Sequence, residues 1–132
     1  QGKGARINGQ PIAHSGCEQL DRSLIAASFS AGVERGSQEL DRWVEMLYEC
    51  QALRRLGSAA LNLCYVAQGG LDGYWATSVK IWDIAAGVLI VREAGGTITA
   101  MDGTPLKIQE AKFIAAATQS LHEQMFEVLS RV

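Results

Sequence analysis

The chain has 132 residues, 48% apolar and 20% charged, a composition that suits one globular domain with a core of its own. Its formal charge is −2 with both signs interspersed, so no basic stripe marks a nucleic-acid surface and no Lys/Arg cluster marks an anionic membrane. The longest apolar run, Ile84 to Val91, is far short of the ~20 residues that a membrane span needs.

Cys17, Cys50 and Cys64 are odd in number and widely spaced, which argues against a disulfide scaffold and for a reducing, cytoplasmic setting. The start, Gln1 to Arg6, has no apolar core of the kind a signal peptide carries.

The first element is a hairpin over Ala5 to Ile12, with Asn8-Gly9 supplying the positive-φ pair of a tight turn. Leu24 to Phe29 reads as a buried strand. Ser37 to Gln51 is the clearest amphipathic helix, with Leu40, Trp43, Val44, Leu47 and Tyr48 on its apolar face. A short strand, Leu53 to Leu56, leads through Gly57 to a helix over Ser58 to Ala67, with Ser58 as its cap and Gln68-Gly69-Gly70 as its exit.

Leu71 to Val79 reads as a strand rich in aromatic and β-branched residues. Trp82 to Gly96 is apolar nearly all round, so as a helix it must be buried, with Asp83 at its N-cap and Gly95-Gly96 at its exit. Thr97 to Ala100 and Lys112 to Ala116 are strands, Asp102-Gly103 is a turn, and a last helix covers Ser120 to Arg131. The irregular alternation predicts mixed α/β layers in one domain over residues 1–132.

Three places invite chemistry. Asp83 at a helix start caps that helix or offers an oxygen to a hard cation such as Mg²⁺, and a cap is the commoner use. The small residues Gly57-Ser58-Ala59-Ala60 let an anionic or hydroxylated ligand approach free helix N–H groups, or merely pack closely. Asp72 before Gly73 fits turn chemistry. His14 and His122 are far apart and outside any Cys/His cluster, so zinc is not expected. No Gly-x-Ser-x-Gly elbow marks a covalent nucleophile, and no catalytic residue is assigned.

In order, the motifs are Gly57-Ser58-Ala59-Ala60, Val66-Ala67, Leu71-Asp72-Gly73-Tyr74, Trp82-Asp83-x-Ala85-Ala86-Gly87 and Glu93-Ala94-Gly95-Gly96. Together they resemble the C-terminal signature of the inositol monophosphatase family, and Gly2-x-Gly4-Ala5-x-x-Asn8-Gly9 resembles that family's central hairpin. The resemblance covers essentially the whole chain. It implies a layered α/β sandwich of the inositol monophosphatase/fructose bisphosphatase type, here its C-terminal half, a mixed sheet flanked by helices.

The resemblance further implies Mg²⁺-dependent hydrolysis of an inositol or related sugar or polyol phosphate monoester. Asp83 matches a metal ligand of the family. Gly57, Ser58 and Ala59 match the segment lining the polyol pocket. Ala76 stands where inositol-cleaving members carry a substrate-binding Glu, which points toward another sugar or polyol phosphate. The family's Gly-Glu-Glu and Asp-Pro-Ile/Leu-Asp-Gly-Thr stretches have no counterpart in the chain, and Asp102-Gly103-Thr104 lacks the preceding Asp-Pro. With that metal-binding N-terminal half absent, one carboxylate cannot hold a two-metal site, so the chain alone is expected to be nearly inactive. Its expected partners are a small phosphate ester and further copies of itself, through an apolar face left uncovered. The alternatives are a non-catalytic assembly module and a sibling sugar-bisphosphate phosphatase.

Overall fold

A computed structural model describes all residues from 1 to 132. The hairpin forms as expected: β1 (Arg6–Ile7) pairs antiparallel with β2 (Gln10–Pro11). Asn8 at φ 49° and Gly9 at φ 79° make the turn.

The body of the fold is a five-stranded mixed sheet in the order β4-β3-β5-β7-β6. Its strands are β3 (Leu24–Ser28), β4 (Ala52–Arg54), β5 (Gly73–Ala76), β6 (Thr97–Ala100) and β7 (Phe113–Ala116). Strands β4, β3 and β5 run parallel, whereas β7 runs antiparallel to both β5 and β6. The four helices are α1 (Gln38–Glu49), α2 (Ala59–Gln68), α3 (Ile81–Glu93) and α4 (Gln119–Ser130).

Strand alternation divides the core into two layers. Ala26, Tyr74, Ala76, Phe113 and Ala115 pack on one face against α2 and α3. Ile25, Ala27, Trp75, Ile114 and Ala116 pack on the other against α1 and α4. The central strands are therefore apolar on both sides and read as continuous hydrophobic runs. Connectivity explains which helix lies where. The link β3–α1–β4 steps toward one sheet edge, and β4–α2–β5 steps back across β3. Right-handed crossovers in opposite directions put their helices on opposite faces, as observed for α1 and α2.

Helix starts are capped by side chains that accept backbone N–H groups. Ser37 Oγ accepts from Leu40, Ser58 Oγ from Leu61 at 3.3 Å, and Thr118 Oγ1 from Leu121 at 3.1 Å. Helix α2 ends at Gly69, whose φ of 90° is the left-handed geometry that favours glycine at a helix exit.

Four expectations are corrected. Asp83 is not the N-cap of α3: the helix starts at Ile81 after Lys80, and Asp83 sits in its first turn. The expected strand Leu71–Val79 shrinks to Gly73–Ala76, because Asp72 accepts from the Ser15 hydroxyl (2.5 Å) and the Leu24 amide (2.7 Å) in a turn. Of the expected apolar face of α1, Leu40 and Trp43 are half-buried while Val44, Leu47 and Tyr48 turn to solvent. The buried residue is Met46, outside that face, because α1 packs on α4 and the β4 edge of the sheet. Helix α3 is not buried all round. Trp82 is 77% exposed, and Ile81, Leu89 and Leu61 of α2 are exposed as well.

Helices α2 and α3 approach closely at Gly87, where a Cβ would lie 2.7 Å from Leu63 Cβ and 2.6 Å from its Cδ1. The near end of Leu63 cannot swing away, so the helices themselves would have to separate. Gly87→Ala is expected to destabilise the fold by about 1–3 kcal/mol. Thermal denaturation would show a lowered midpoint, and an unchanged midpoint would contradict this packing.

Candidate active site

Three parallel strands end at one side of the sheet: β3 at Ser28, β4 at Arg54 and β5 at Ala76. The segments that follow them enclose a cavity of about 390 Å³. Ligands in open α/β sheets bind in such crevices outside the carboxyl ends of the strands. Ser28, Phe29 and Ala31 come from the first segment, Arg55 and Gly57 through Ala60 from the second, and Ser78, Val79 and Asp83 from the third.

All four residues singled out from sequence for binding, Gly57, Ser58, Ala59 and Asp83, line this one cavity. Gly57 has φ +83°, a conformation that side chains disfavour, and it turns the chain from β4 into α2. Ser58 then caps α2. The Ala59 and Ala60 N–H groups lie in the first helical turn, where no intrahelical acceptor exists for them. A helix N-terminus of this kind favours negative charge and hydrogen-bond acceptors.

In the same cavity, Asp83 Oδ2 accepts the Lys80 N–H at 2.8 Å. The other carboxylate oxygen has no protein donor. That geometry pins the carboxylate by one oxygen and leaves the second available. The donor set is hard: one carboxylate with the hydroxyls of Ser28, Ser58 and Ser78 around the same space. Such oxygens fit one share of an Mg²⁺ coordination shell. No group of three or more His, Cys, Asp or Glu side chains that could hold a metal ion gathers in the fold.

Several cavity residues were missed by the sequence reading. Arg55 holds the first segment by donating to the carbonyls of Ser30 (3.2 Å) and Phe29 (3.4 Å), with its guanidinium 4.4 Å from the centre of the Phe29 ring. Ser28 Oγ accepts the Tyr74 hydroxyl at 2.8 Å, which secures the cavity floor. Burial pushes the Tyr74 phenol above its ordinary range, a direction the nearby Asp83 charge reinforces. Each of these residues follows or lies in a parallel strand, a signal visible only once strand order is known. Asp72 lies outside the cavity in its turn, and His122 pairs with Thr99 at 2.8 Å far from it. Ala76 is fully buried at the end of β5 and brings no polar side-chain atom to the wall.

The inositol monophosphatase family profile matches residues 1–132, and the chain belongs to that family. It is 38% identical to an inositol-1-monophosphatase of Synechocystis over 96% of this chain and 44% of the relative. It is 37% identical to the Nus factor SuhB of Pasteurella multocida over 93% of this chain and 46% of the relative. The solved inositol monophosphatase of Anabaena superposes with a TM-score of 0.91 at 38% identity, covering 99% of this chain and 52% of that one. The chain thus spans about half the length of these relatives. The layered α/β fold expected from the motifs is the fold observed.

Proposed function

We propose that this chain forms the C-terminal half of a Mg²⁺-dependent phosphomonoesterase acting on an inositol or related sugar or polyol phosphate. One observation carries the reading. The half-free carboxylate of Asp83 and the open N-terminus of α2 line a single cavity at the sheet's carboxyl edge.

Within that reading Asp83 supplies one metal ligand, oriented by the Lys80 N–H. Mg²⁺ when bound supplies Lewis-acid activation of water and offsets charge on the phosphoryl oxygens. The chain's own residues position the organic part of the ester. Gly57, Ser58 and Ala59 offer a hydroxyl and free backbone N–H groups to polyol oxygens. Arg55 and Phe29 line the same cavity. Ala76, lacking a carboxylate, offers no direct contact to a sugar hydroxyl, which favours a related polyol phosphate over myo-inositol phosphate itself. The remaining carboxylates belong to an N-terminal half of the kind that the relatives' greater length implies.

Phosphate release from a panel of sugar and inositol phosphates with Mg²⁺ tests the reading. The chain alone is expected to be nearly inactive, and the chain joined to the N-terminal half of the Synechocystis relative is expected to turn over. In the joined enzyme Asp83→Asn should lower kcat/KM by at least about 100-fold, since even outer-shell partners of a metal are worth ~10–100-fold. An unchanged rate would remove Asp83 from the mechanism, and brisk turnover by the chain alone would remove the need for other ligands.

The exposed Leu61, Ile81, Trp82 and Leu89 support a second feature of the proposal, self-association of the isolated chain. Light scattering should show oligomers at micromolar concentration, together with enhanced fluorescence of an apolar dye. A monodisperse monomer without dye binding would instead favour an autonomous module.

A further inference from the structure

Glu39 lies in the first turn of α1, outside the cavity lining, yet it bonds to Thr77 and Ser30, the residues next to lining residues of two segments. Its Oε1 accepts the Thr77 hydroxyl at 2.5 Å, and its Oε2 accepts the Ser30 hydroxyl at 3.0 Å. Thr77 immediately precedes Ser78 and Val79, which line one wall. Ser30 stands between Phe29 and Ala31, which line another. These segments leave the sheet at adjacent parallel strands, and the last ladder bond between them is Thr77 N–H to the Ser28 carbonyl at 3.1 Å. Beyond that bond, the Glu39 carboxylate is the side-chain link from one segment to the other.

Chemistry favours a persistent link. Burial alone would push the Glu39 carboxyl up, but the Thr77 and Ser30 hydroxyls outweigh it and hold the group below its ordinary range. An ionised carboxylate that accepts one hydrogen bond on each oxygen is a stronger tie than a neutral acceptor. Arg55 steadies the same Phe29–Ser30 carbonyls from the cavity side, so the first segment is gripped from two directions.

We propose that Glu39 is a positioning residue that sets the width of the polyol end of the cavity, and so its selectivity. This rests on the phosphatase reading. With Ala76 bringing no carboxylate to the substrate, recognition at that end depends on the spacing between the Phe29–Ala31 and Ser78–Val79 walls. Glu39 fixes that spacing by holding Ser30 and Thr77 on its two oxygens.

The joined enzyme, carrying the relative's N-terminal half, tests this with its best substrate. Glu39→Ala and Thr77→Val should each raise KM about 10-fold while kcat stays within about 2-fold, because misplacing a binding wall weakens substrate positioning without touching the metal ligand. The double variant should be no worse than the poorer single one, and Glu39→Gln, which keeps one acceptor oxygen, should recover part of the loss. An unchanged KM, a fall confined to kcat, or additive effects of the two changes would overturn the proposal. Amide hydrogen exchange on the 132-residue chain separates this proposal from the phosphatase reading. Glu39→Ala should speed exchange in both segments, 28–31 and 77–79, while β7 and α4 keep wild-type protection. Uniformly faster exchange throughout the fold, or a change in one segment only, would overturn the clamp. If the joined wild-type enzyme hydrolysed no ester of the panel, the phosphatase reading would fall, while the exchange pattern would still decide whether Glu39 joins the walls.

Discussion

Everything at the site follows from three parallel strands ending at the same edge of the sheet. Because β4, β3 and β5 point the same way, the segments after Ser28, Arg54 and Ala76 must emerge side by side. Those strands cannot be joined by tight hairpins, and their crossover helices need short lead-in turns at that edge. The turn through Gly57 into α2 and the turn through Lys80 into α3 therefore flank the end of β3 and line the same cavity. Asp83 and Ser58 line one cavity for this reason, although they lie 25 positions apart in the chain. Neither residue defines a site alone.

The α2–α3 pair keeps that meeting geometrically fixed. Gly87 lets α3 sit directly on Leu63, and Ile84, Val88 and Val91 pack with Leu63, Val66 and Ala67 over the sheet. At the far end of α3, Glu93 accepts the amides of Gly2 and Gly4, which ties the start of the chain to the helix carrying Asp83. This clasp gives a physical reason for the Gly2-x-Gly4-Ala5 motif and the Glu93-Ala94-Gly95-Gly96 motif to occur together: one is the donor pair and the other the acceptor. The outer sides of the same helices remain apolar and exposed at Leu61, Ile81, Trp82 and Leu89.

Much of this was legible from residue order alone. Asn8-Gly9 announced the hairpin, Ser58 announced the start of α2, and the block around Trp82-Asp83 gave both the helix and the carboxylate that faces the cavity. What escaped was whatever depends on strand order or on a shift of a few residues. Asp83 looked like a cap, but the helix begins two residues earlier, so its carboxylate reaches back to Lys80 and keeps an oxygen free. Val44, Leu47 and Tyr48 carry helical spacing that resembles a buried stripe, yet α1 sits at a sheet edge with little to cover them. Arg55, Ser28 and Glu39 carry no local signature, because their partners lie 9 to 46 residues away in sequence.

The central claim is that the free oxygen of Asp83 belongs to a shared metal shell. Anomalous diffraction from Mn²⁺-soaked crystals of the chain joined to a relative's N-terminal half measures this most directly. The account predicts an ion about 2 Å from an Asp83 carboxylate oxygen, on the side facing Ser58. Well-ordered Mn²⁺ held entirely by the N-terminal half, with none beside Asp83, would contradict it.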